Sequence, residues 1–258
     1  MFVLLTFGGI VAGMLGGFLG IGGGILLMPL LRFGVGLDPA CAAGTCVAAV
    51  FFTTLGGSIK HFKLGHVDFR LILPVVITGL ISTVIFSILF VYMAHKSVWL
   101  DTATGIVFSL VALRMLWEGI SGYMSKNSEQ DSGPGIRGSM FARMGIGTTA
   151  GVLPGLLGIG TGAVLVPAFA FALNAPIKIA IGSSLACFSL NALASSAFKL
   201  SQGFVQMHAL IPLCIGTFIG SRFGASLNGR TSSMLLKLVF GMVFVYVACK
   251  YLFVAGGL

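Results

Sequence analysis

A glycine-rich interruption inside a long apolar stretch, GFLGIGGGILLMP from Gly17 to Pro29, recurs as GLLGIGTGAVLVP from Gly155 to Pro167. The offset of 138 residues holds without a gap from Gly13 and Gly151 to Ile81 and Ile219, with about 20 identities over about 70 aligned positions. The chain is therefore two copies of one unit. Duplication followed by facing halves is how many membrane transporters are built.

The apolar stretches are too long for the core helices of a soluble domain. Of 258 residues, 57% are apolar and only 8% charged, which places the chain among all-α integral membrane proteins. Eight segments approach or exceed the roughly 20 residues that span a bilayer: 2–33, 40–58, 70–94, 98–117, 140–173, 177–198, 207–228 and 233–255. They divide into a first repeat at 1–120 and a second at 140–258, joined by a polar linker, SGYMSKNSEQDSGPGIRGS, over 121–139. The start, MFVLLTFGGIVAGMLGG, has no basic n-region and no small-residue cleavage signal, and is expected to be a retained segment. The formal charge of +9 comes mostly from loop Lys and Arg, as at cytoplasmic membrane faces, so nucleic acid is not an expected partner and the lipid bilayer is. The five cysteines lie in apolar segments without CxxC or Cys/His spacing and read as small buried hydrophobes. Neither a metal nor a cofactor is expected.

The first segment of each half exceeds 30 residues and carries glycines at 20, 22, 23 and 24 or at 158, 160 and 162. Glycine at this density destabilises helix and permits sharp turns, so each is expected to be two half-helices joined by irregular backbone. If each broken segment crosses the membrane, the halves are parallel and the 15 Lys and Arg divide 9 to 6 between the two sides. If each turns back, the halves are inverted and the division is 11 to 4. The second fits the positive-inside rule better. The expected fold is two inverted repeats, each with a broken or re-entrant first segment followed by three transmembrane helices.

Irregular backbone within hydrocarbon must be covered by protein or line a watery cavity, because unsatisfied N–H and C=O groups cost several kcal/mol in lipid. The breaks, Gly20, Gly22, Gly23 and Gly24 with Gly158, Gly160, Thr161 and Gly162, are thus candidate substrate ligands. Half-helices beginning near Gly24 and Gly162 would present free N–H groups and a positive dipole end to an anion. The following segment of each half adds polar side chains in matched positions, Thr45 with Ser183, Cys46 with Ser184 and Thr53 with Asn191. Of these, Asn191 is the costliest to leave unpaired in lipid. The bland alternatives are tight helix packing for glycines such as Gly13 and Gly17 and back-bonding to the same helix for the hydroxyls. Lys60, His61, Lys63 and Lys199, at the ends of these segments, are expected to reach the interface, as are Asp38, Asp68 and Asp101. No base lies within a predicted span beside Ser183 or Ser184, and no GxxxxGK[ST] run is present, so neither hydrolase chemistry nor a built-in ATP motor is expected.

The GFLGIGGG run with Pro29, the Gly44/Thr45 region, the GLLGIGTG run with Pro167 and IGSSLACFSLNALAS from Ile181 to Ser195 resemble the TauE/SafE family of sulfite exporters, also grouped as toluene sulfonate uptake permeases. The resemblance covers nearly the whole chain. It implies a secondary transporter in the bacterial cytoplasmic membrane, moving sulfite or other small sulfur-containing anions by alternating access, with the anion near the midplane between the breaks. An uncoupled small-anion channel is the alternative, and a homodimer is among the assemblies left open. Thr161, where the first copy has Gly23, implies unequal contact of the two halves with substrate.

Inverted halves place the 121–139 linker in the cytoplasm. A protease site inserted after Ser128 is expected to be cleaved only from the inside of sealed vesicles; cleavage from outside would remove the inverted arrangement.

Overall fold

The computed structural model describes residues 1–94, 97–124, 139–227 and 245–254, which are helical with short connections and, among themselves, contain no strand. α1 (Phe2–Leu19) stops at Gly20, whose φ of 74° is left-handed. After four residues the chain re-enters helix as α2 (Gly24–Pro29), continued by a wider π-helical turn over Leu30–Gly34. α3 (Pro39–Lys63) opens with proline in its first turn, where the missing N–H costs nothing. α4 (Phe69–Ala94) and α5 (Ser97–Met124) follow. The second copy repeats the order. α6 (Met140–Leu156) is capped by Ser139, whose Oγ accepts from Ala142 N at 3.2 Å. α7 (Gly162–Pro167) again widens into a π-helical turn over Ala168–Ala172, and α8 (Ile177–Ser201), α9 (Met207–Leu227) and α10 (Val245–Val254) are the remaining helices among the described residues.

These bounds follow the apolar segments closely. α5 runs into the expected linker as far as Met124, and the rest of that linker, 125–138, lies outside the described residues, as does 233–244 of the last expected span. α1, α3, α8, α9 and residues 72–94 of α4 are each long and apolar enough to cross a membrane.

Met1–Val91 with Ser132–Asn228 form one compact unit, and Tyr92–Asp131 with Gly229–Leu258 another. In the second unit, Phe108 of α5 stacks on Tyr251 of α10 with centroids 5.6 Å apart. Asp101 on α5 is buried rather than interfacial, and Cys249 on α10 is exposed rather than buried.

In the first unit the contacts of one copy recur in the other with partners exchanged. Gly9, Gly13 and Gly17 of α1 meet Leu213, Thr217 and Ser221 of α9, so these two helices run parallel. Gly147, Gly151 and Gly155 of α6 meet Val75, Gly79 and Thr83 of α4 in the same way. α9 answers α1 with its own glycine row, Gly216, Gly220 and Gly224. Small residues every four positions on both helices let backbones touch, which is how helices associate where lipid offers no hydrophobic drive. α4 answers α6 with hydroxyls instead: Thr83 donates to the Gly151 carbonyl at 3.2 Å and Ser82 to that of Thr148 at 2.8 Å.

Inside this frame α3 and α8 lie antiparallel, with Gly44 against Phe204 and Gly182 against His66. Left-handed residues also repeat at the same offset: Gly20 with Gly158, Gly36 with Asn174 and Gly65 with Gly203. On the outside, Leu73, Ile77, Ile81 and Ile85 of α4 form an exposed apolar stripe, and Ile211, Ile215, Ile219 and Phe223 of α9 its counterpart. Stripes of this kind suit a lipid face.

A methyl group at Gly13 would strike the Thr217 backbone, whereas at Gly145 nothing lies within 4 Å. Gly13→Leu is expected to lower stability in detergent by about 3 kcal/mol and Gly145→Leu by less than about 0.5 kcal/mol. Equal melting temperatures for the two variants would contradict the close approach of α1 and α9.

Candidate substrate site at the crossing of the glycine breaks

The two breaks lie against each other, backbone to backbone. A methyl at Gly162 would strike the Gly20 carbonyl, one at Gly160 the Ile21 carbonyl, and one at Gly24 the Gly160 nitrogen. The segments 20–24 and 158–162 therefore run antiparallel across one another, and no side chain fits between them. Both are wholly buried. The ends are held by the opposite half: Gly20 packs on Ile181 of α8, and Gly158 on Ala43 of α3.

In the first copy the chain doubles back at the break. Gly22 N donates to the Gly16 carbonyl at 3.3 Å, Gly23 lies on the Ala12 carbonyl and Leu30 reaches Gly8, so α2 returns beside α1. Three left-handed glycines, Gly20, Gly22 and Gly23, make this turn. The second break uses Gly158 alone, and Thr161, in the place of Gly23, has a right-handed φ of −90°. A threonine fits there because that backbone no longer needs glycine.

Side chains from α3 and α8 close over the breaks. Ser184 donates to the Gly20 carbonyl at 3.1 Å and, within its own helix, to that of Ile181 at 2.9 Å. Its repeat partner Cys46 gives its thiol to the Gly24 carbonyl at 3.4 Å. The Phe188 ring lies against Gly22 and Gly160, and Val50, in the same place of the first copy, against Gly24. Phe188 was not a candidate from sequence, although it stands four residues after Ser184 and three before Asn191, on the same helical face.

The matched polar side chains have different employments. Thr45 accepts from Gln206 N at 3.0 Å and Ser183 from Asp68 N at 3.2 Å, each tying the loop of the other half. Thr53 bonds back to the Ala49 carbonyl at 3.2 Å. Two side chains differ: Thr161 Oγ1 and both polar atoms of Asn191 are buried without a hydrogen-bond partner among the described residues. Asn191 lies against Gly79 of α4, where a methyl group would touch its Nδ2. A buried polar group left unpaired costs about 1–3 kcal/mol, and these two belong to the second break and the helix beside it.

The charged helix ends depart from expectation. Lys199 and His61 are fully buried rather than interfacial, whereas Lys63 is exposed. Burial, and then the neighbouring Lys178 charge, hold the half-buried His66 below the ordinary imidazole range. End position in a helix carried no signal of this. His61 meets the Gly17 carbonyl and Lys199 that of Pro154, each within its own copy, and these contacts form only once the chain is folded.

A family model described as Sulfite exporter TauE/SafE matches residues 5–251. YunE of Bacillus subtilis (strain 168), a probable membrane transporter protein, is 27% identical over 277 residues, covering 98% of this chain and 97% of that protein. A probable membrane transporter protein of Xylella fastidiosa (strain 9a5c) is 30% identical over 256 residues, covering 96% and 93%. Another, from Methanocaldococcus jannaschii, is 25% identical over 254 residues, covering 93% and 91%. No solved structure matches the chain. With its apolar helices and paired glycine segments, this chain is a multi-pass membrane protein and belongs to the TauE/SafE sulfite exporter family.

Proposed function

We propose that the protein is a secondary transporter that moves sulfite or a small organosulfur anion across the membrane and holds it where the glycine breaks cross. The observation that carries this reading is the unpartnered, buried pair Thr161 and Asn191. Both are neutral and can donate hydrogen bonds to oxyanion oxygens, which suits a site that must release its ligand. The half-helices starting at Gly24 and Gly162 add positive dipole ends beside the same crossing. Gly20, Gly22, Gly23, Gly158 and Gly160 keep the backbone approachable. Thr45, Thr53, Ser183 and Ser184 then serve chiefly to hold the frame. Because Thr161 and Asn191 both come from the second copy, the two halves contact the anion unequally.

Access alternates, on this reading, by rocking of two inverted halves, 1–120 and 140–258, about the crossing. Support comes from the parallel pairing of α1 with α9 and of α6 with α4, together with the antiparallel α3 and α8. With that arrangement, α1 and α6 start on opposite sides. Burial of both breaks favours a carrier that occludes its substrate over an uncoupled channel.

Sulfite, thiosulfate or sulfoacetate is expected to raise the melting temperature in detergent, by up to about 2.7 kcal/mol of stabilisation at a hundredfold excess over Kd, with acetate inert. Stabilisation by acetate alone would sink the sulfur assignment. Asn191→Leu removes two unpartnered polar atoms, so the ligand-free variant is expected to be as stable as the parent, or more so, while the anion no longer shifts its melting. A less stable variant that still transports would place the site elsewhere.

A further inference from the structure

Lys199 is fully buried near the end of α8. Its Nζ donates to the Pro154 carbonyl at 2.9 Å and lies 4.3 Å from the centre of the Phe90 ring. Pro154 belongs to the last turn of α6, so the amine sits at the negative end of the half-helix that runs on into the second break. Ser195 Oγ donates to the same carbonyl at 2.7 Å and accepts from Ser87 Oγ at 3.5 Å. Gln202 Nε2 donates to the Ser87 carbonyl at 3.1 Å, and its Oε1 is buried without a partner among the described residues. Lys199 thus meets Pro154 from α6 and Phe90 from α4, Ser195 on its own helix shares the Pro154 carbonyl and leads through Ser87 to Gln202, and the Cys46 thiol from α3 is the titratable group that acts on its charge. Among the described residues no carboxylate stands beside it.

The position is matched in the first copy. His61, 138 residues earlier, is equally buried, and its Nε2 meets the Gly17 carbonyl in the last turn of α1 at 3.3 Å. A carbonyl only accepts, so Nε2 bears the proton there. The contact of His61 Nδ1 with His66 Nδ1 at 3.2 Å then requires one proton between the two rings. Each half therefore sets a protonatable side chain at the end of the half-helix leading into its break.

A buried ammonium without a counter-charge is costly. An anion at the crossing relieves that cost, and loss of the proton relieves it once the anion has gone. We propose that Lys199 carries the proton that travels with the anion, and that His61 is the corresponding group of the first half. The amine takes one proton from a hydronium ion as the anion enters, an N–H bond forming as an O–H bond breaks, and returns it to water on release by the reverse exchange. The proposal rests on the anion reading of the crossing.

The test is calorimetric titration of the detergent-solubilised full chain near neutral pH, in two buffers of different ionisation enthalpy. Thiosulfate and sulfoacetate are the probes, since neither takes up a proton in that range. The wild type is expected to take up close to one proton per anion bound. Lys199→Arg, charged at every pH, is expected to bind with none, and so is Lys199→Met, more weakly. Binding without proton uptake by the wild type, or undiminished uptake by Lys199→Arg, overturns the coupling and leaves the anion site standing. No binding of either probe by the wild type overturns the anion reading, and the coupling with it.

Discussion

Unwound backbone surrounded by apolar groups has to be covered, because its N–H and C=O groups find no water there. Each glycine break is covered largely by the other, and the rest of the first unit is arranged around that contact. Gly24, Gly160 and Gly162 are glycines because the opposing backbone occupies the space of a Cβ. α3 and α8 sheathe the crossing and supply Cys46 and Ser184 to the carbonyls at its edges. Only then do the outer pairs, α1 with α9 and α6 with α4, matter as walls drawn close by small residues.

The repeat governs the frame more strictly than the chemistry. Left-handed residues other than Gly22 and Gly23, helix starts, lipid-facing stripes and loop ties recur at equivalent positions. Within that frame the second copy has Thr161 for Gly23, Phe188 for Val50, Asn191 for Thr53 and Lys199 for His61. A duplicated backbone can tolerate such divergence because the crossing depends on main-chain fit, which both copies keep. Polarity can then gather on one side of it.

Much of the fold was legible in the sequence, since hydropathy locates helices and dense glycine locates their interruption. α2 and α7 begin at Gly24 and Gly162, where the loss of helix-breaking glycines permits helix again. The site was legible in part. Thr45 shared a helical face with Thr53, and Ser183 with Asn191, but the hydroxyls of Thr45 and Ser183 go to the backbone of Gln206 and Asp68, far along the chain. Lys199, His61 and Asp101 were misplaced for a related reason: a helix end is exposed or buried according to what packs over it, and the packing elements come from elsewhere in the chain.

By itself, then, the sequence determined a duplicated, helical membrane protein broken at two matched places, because period, hydropathy and glycine content act through local backbone physics. Tertiary structure alone decided that the breaks cross each other and that Thr161 and Asn191 find no hydrogen-bond partner among the described residues. It also decided that Lys199 lies against the half-helix ahead of the second break. Those facts depend on contacts between residues more than a hundred positions or only a few dozen apart in the chain, and close packing settles them, not the order of residues within either copy.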